Sequence, residues 1–156
     1  MLLPAILALA VLDVPFVAQE KNACGAASIA MVMQYWGRPA DAPAIHRELY
    51  SPGARGVYAD ALAQRLRRAG FDTHAFRGEW KDLEHHLDKG RPLIVALETA
   101  GGRLHYVVVV GVDTARGLLL AHDPAVRRSL AHHRAAFEKQ WKGANHWTLL
   151  AVPSSP

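Results

Sequence analysis

The sequence predicts an α+β domain, helical in its first part and mostly strand after. Three observations carry this. Cys24 to Trp36 is helical in composition and apolar nearly all round. Tyr58 to Ala69 and Lys81 to Lys89 carry leucines at helical spacing. From Pro92 onward the apolar residues gather in runs rich in Val, Ile and Leu. Helices followed by strands read as α+β with an antiparallel sheet.

The elements follow in order. Asp13 to Val17 looks extended, with Pro15 keeping it at an edge or strand end. The Cys24–Trp36 helix should be central and buried, with Gly37 placed to stop it. Asp41 can cap a second helix running to about Leu49. Ser51-Pro52-Gly53 is a loop, and Gly70 ends the helix that begins near Tyr58. Asp72 to Arg77 is a strand, and Gly90 closes the Lys81–Lys89 helix. Pro92–Glu98, Leu104–Asp113, Gly117–His122 and His146–Val152 are strands, with a short helix near Arg134–Gln140 between the last two.

Composition excludes several classes. The chain has 156 residues, enough for one domain with a real core. At 51% hydrophobic and 21% charged it is not disordered. Its net charge of +4 is small and scattered, and the Arg65, Arg67, Arg68 group reads as a solvated helix face. The four tryptophans are not interleaved with basic residues, so no nucleic-acid partner is expected. A single cysteine, Cys24, forms no internal disulfide and no four-cysteine zinc site. No cofactor or metal is expected: His85-His86 and His132-His133 are neighbours that should point apart, and no His-Glu-x-x-His helix occurs.

Residues 1–10 are apolar and too short to span a bilayer. Ala8-Leu9-Ala10 has the small-x-small form of a cleavage site, but no positive charge precedes Glu20. Two readings stand: an export signal, which would put the domain in the periplasm or outside the cell, or a packed segment of a cytoplasmic one. Residues 11–152 are the expected domain and 153–156 a tail. No integral membrane span is expected, and a partner domain or transporter is left open.

Three motifs carry chemistry. In Gln19-Glu20-Lys21-Asn22-Ala23-Cys24-Gly25 the thiol opens a predicted buried helix, where free N–H groups and the helix dipole favour thiolate. Gln19 can donate to an oxyanion beside the sulfur. His105 opens an otherwise apolar strand, and a thiol nucleophile needs such a base. Asp123 ends the next strand, where a carboxylate can orient the imidazole. Singly, each has a plain structural reading: a buried apolar cysteine, a half-buried strand-end histidine, a turn aspartate before Pro124. A three-residue turn, Thr114-Ala115-Arg116, would set Val107 opposite Asp123 and make His105 its diagonal neighbour on one face. A four-residue turn would flip that relation. His122 should then point to the other face.

These motifs resemble the bacteriocin-processing, double-glycine-leader type of cysteine peptidase, in the papain-like superfamily. The resemblance runs through Gln19–Gly37, His105–Asp113 and His122-Asp123-Pro124-Ala125, and on to the residues near Phe137–Trp141 and Trp147–Leu150. It implies a papain-like fold with its cleft between helices and sheet. It also implies Cys24 as nucleophile, His105 as base and then acid, Asp123 as orienting group, and Gln19 with the Cys24 N–H as oxyanion donors. The expected activity is hydrolysis of peptide bonds through a thioester, on a peptide or protein substrate. An acyltransferase or amidase with the same residues, or a peptide-binding module without turnover, stays open.

Overall fold

A computed structural model of the chain describes residues 10–156, so most of the apolar stretch 1–10 lies outside the described residues. The elements are α1 (Cys24–Tyr35), α2 (Ala42–Leu49), α3 (Ala59–Arg68), β1 (Phe71–Arg77), α4 (Trp80–Asp88), β2 (Leu93–Glu98), β3 (Leu104–Asp113), β4 (Leu118–Asp123), β5 (Arg127–His133), α5 (Arg134–Gly143) and β6 (Trp147–Pro153). Most boundaries fall within a residue or two of those expected. The exceptions are α5, three residues longer, and β5, which the sequence reading lacks.

Six strands form one antiparallel sheet in the order β1-β6-β2-β3-β4-β5. Side chains alternate across its two faces, and both faces are covered. Ile94, Ala96, Tyr106, Val108 and Val110 meet α1, α2 and α3 on one side. Leu93, Val95, Leu97, Val107 and Val109 meet α4 and α5 on the other, around Phe137 and Trp141. This double covering explains why β2 and β3 are apolar without interruption, where a one-sided sheet would alternate.

The first of these layers sets the place of the site. Helix α1 is buried continuously from Gly25 to Met33 because β3, α2 and α3 all pack around it. Gly37 ends it at φ +76°: its N–H bonds Gln34 O and the Arg38 N–H bonds Met33 O, the paired bonds of a Schellman cap. Asp41 stands at the N-cap of α2 but its carboxylate makes no cap bond. Pro43, in the first turn, has removed one of the N–H groups such a cap would satisfy. Arg65 and Arg68 of the expected solvated face both bind Glu48, at 3.0 and 2.9 Å.

The β3–β4 connection departs from expectation in an instructive way. The turn has four residues, with Asp113 paired to Leu118 rather than Gly117. A β-bulge between Val109 and Gly111 then adds one residue back. The two changes cancel, and Val108 pairs with His122 as the shorter turn would have given. At the other margin, β6 runs to Pro153, and Ser154 bonds Gly70 O at 3.0 Å and the Asp72 carboxylate at 2.8 Å. Among the described residues no helix is long and apolar enough to cross a membrane.

Candidate active site

Cys24 is the first residue of α1. A tight turn delivers it: Ala23 N–H bonds Glu20 O, and Asn22 takes a left-handed φ of 60°, which asparagine tolerates. Gly25 follows because space demands it. A Cβ there would lie 3.1 Å from Leu62 and 3.3 Å from Val57.

His105 sits near the start of β3, paired to Leu97 of β2. The β3–β4 pairing stops at Val108–His122, so the outer edge of β3 is open at His105 and Tyr106. Continuing that register puts His105 diagonal to Asp123, and their side chains meet: Nε2 to Oδ1 is 2.8 Å. The same Oδ1 accepts the Ala125 N–H at 2.9 Å. Because Asp123 holds Nε2, Nδ1 is the ring nitrogen left for the sulfur.

The electrostatics agree with this geometry. Burial by itself raises the Cys24 pKa, but the hydrogen bond and charge of His105 and the main-chain groups of Tyr106 and Gly25 outweigh it and bring it below 9.0. Burial lowers His105, yet hydrogen bonds and charge from Asp123 and Cys24 push it up to about 9. Burial raises Asp123, and the bond to His105 more than offsets this, holding it below 3.8. The three groups favour a thiolate–imidazolium pair backed by a carboxylate.

Gln19 reaches the same cleft as Cys24 and His105. Its N–H bonds Pro124 O at 2.9 Å, which ties its loop to the turn after Asp123. Its Oε1 is buried and has no hydrogen-bond partner among the described residues. The cleft encloses about 1070 Å³ and is walled by residues 53–60 and 99–104. Gln19, Cys24 and His105 therefore line one cleft, and Asp123 joins them through its bond to His105. The sequence did not reveal the main-chain groups of Gly25, Tyr106 and Ala125, since backbone donors have no residue-type signature. Nor did it reveal the two loop walls.

Among the rival histidines, His132 lies near enough to Asp123 and His105 for their charges to act on it. His122 faces away, as expected: Nε2–H donates to Val14 O at 2.7 Å and Nδ1 accepts the Ser129 N–H at 3.0 Å. The His85 and His86 rings do not splay apart but meet edge to face, with centroids 5.2 Å apart. His132 and His133 lie on strand β5, not on a helix.

Comparison with known proteins bears on the family and the fold. The family model described as Peptidase_C39 like family matches residues 11–148. The transport/processing ATP-binding protein ComA of Streptococcus pneumoniae (strain ATCC BAA-255 / R6) is 32% identical over 131 residues, which cover 84% of this chain but 17% of the relative. A putative C39-like peptidase from Bacillus anthracis superposes with a TM-score of 0.77 at 20% identity, covering 96% of this chain and 100% of that one. A double glycine motif protease from an AMS/PCAT transporter, solved in complex with the leader peptide, superposes with a TM-score of 0.72 at 21% identity, covering 93% and 95%. The two structures share the α+β fold. A match over nearly the whole described domain, on the fold that gathers these residues, means that the chain belongs to the Peptidase_C39 like family of cysteine peptidases.

Proposed function

We propose that this chain hydrolyses peptide bonds through a thioester on Cys24, and that its substrates are peptides carrying a leader to be removed. The observation that carries the reaction is a single one: His105, held at 2.8 Å by Asp123, is coupled to the thiol at the head of α1. The Cys24 thiolate attacks the carbonyl carbon, and the new oxyanion faces the Gln19 amide and the Cys24 N–H. The His105 imidazolium gives its proton to the leaving amine as the C–N bond breaks. Water then adds to the thioester, passes a proton to His105 and expels the thiolate.

The leader-peptide reading draws its support from the relatives. One is named for processing and transport, and one structural neighbour was solved with a leader peptide. The test is hydrolysis of a synthetic peptide with a Gly-Gly junction by the native chain and by Cys24→Ala. Cleavage after the second glycine is expected, and Cys24→Ala should lose more than about a thousandfold in rate. Turnover retained in that variant contradicts the mechanism, and cleavage elsewhere contradicts the substrate.

A further inference from the structure

Tyr106 joins parts of the cleft that the mechanism treats separately. It follows His105 on β3 and is only 4% exposed. Its carbonyl accepts from Ser28 Oγ, one turn along α1 from Cys24, at 3.4 Å. Its phenol donates to Val57 O at 3.3 Å. Val57, 6% exposed, follows a turn closed on itself by Ser51 N–H to Gly56 O at 2.7 Å and Gly56 N–H to Ser51 O at 3.3 Å.

That turn forms one wall of the cleft, and Val57 is where the wall meets the core beside Gly25. A buried phenol without a partner would be costly, so its bond to Val57 O fixes the wall as well as the ring. Burial, with the charges of Cys24 and Asp60, raises the phenol's pKa and keeps it a donor.

We infer that the Tyr106 hydroxyl is a positioning residue for substrate binding: by holding the Val57 carbonyl it fixes the 51–58 wall relative to Cys24. The inference rests on the peptidase reading above and adds a division of labour within it. The phenol governs how well a peptide seats, while the Tyr106 main chain stays with the thiol.

Tyr106→Phe in the full chain removes only the hydroxyl. Hydrogen exchange of amides 51–58 should quicken about fivefold, with α1 amides unchanged, as expected for one lost hydrogen bond. Unchanged exchange at 51–58 overturns the inference, and so does quickening throughout the chain. Inactivation by a peptidyl-Gly-Gly chloromethyl ketone separates binding from chemistry. Its half-saturating concentration should rise about fivefold while the limiting rate holds within about twofold. A fall in limiting rate at unchanged half-saturation places Tyr106 with the thiol chemistry and overturns the inference. A native chain that does not saturate with this reagent contradicts the leader-peptide reading, and the exchange result alone then decides the role of Tyr106.

Discussion

Asp123 serves two structures with one oxygen. Oδ1 accepts the Ala125 N–H that closes the turn before β5 and the Nε2–H of His105. The turn bond and the bond to the imidazole thus share one carboxylate oxygen. The two bonds hold the carboxylate in place, and against the lowering by burial its hydrogen bond and charge, with those of Cys24, raise His105 to about 9. The sign of the linkage follows. Stability from the raised His105 is fully present below 6.5 and is lost as pH climbs through about 9. Stability from the depressed Asp123 is present above 3.8 and is lost in acid. Asp123→Asn keeps an acceptor oxygen for both donors and removes the charge. The alkaline limb of peptide hydrolysis should then move down by more than about one pH unit, read from kcat/KM against pH. An unmoved limb would mean that Asp123 acts through shape alone.

At the scale of elements, the site depends on α1 meeting the open outer edge of β3. Gly25 permits the approach. Gly25→Ala gains up to about 1 kcal/mol of helix propensity, less in a first turn. It also presses a Cβ against Leu62 and Val57 at 3.1 and 3.3 Å. Overpacking of this kind costs about 1–3 kcal/mol and should win. A lower urea midpoint at unchanged slope is expected, and a raised one would show that the helix and wall yield freely. Most elements were legible from local pattern: leucines four apart, glycines after helices, valine-rich runs. Strand β5 was not, because Arg127–His133 is an exposed sheet edge with two arginines and two histidines, so no apolar face marks it. The bulge was not legible either. Its extra residue is absorbed in an unbroken apolar run, Val107 to Val110, where no residue type sets it apart. The expected pairing of His105 with Asp123 was reached with a turn one residue too short, and the bulge restored it.

At the scale of the whole molecule, Cys24, His105 and Asp123 come from a helix and two strands that only the complete fold brings together. Their order along the chain was legible because each motif has its own chemistry: a thiol at a helix start, an imidazole at a strand start, a carboxylate at a strand end. Their electrostatic coupling was not, since it depends on burial. Burial alone would push the thiol above its ordinary 9.0, and His105, with the main-chain groups of Tyr106 and Gly25, reverses that. The most direct measurement is therefore the rate of Cys24 alkylation by iodoacetamide against pH. It should be made on the folded chain, on its His105→Ala variant and on the chain unfolded in urea. The folded chain should titrate below 9.0, the unfolded chain near 9.0, and folded His105→Ala above it. One midpoint shared by the folded and unfolded chains would contradict the thiolate–imidazolium pair.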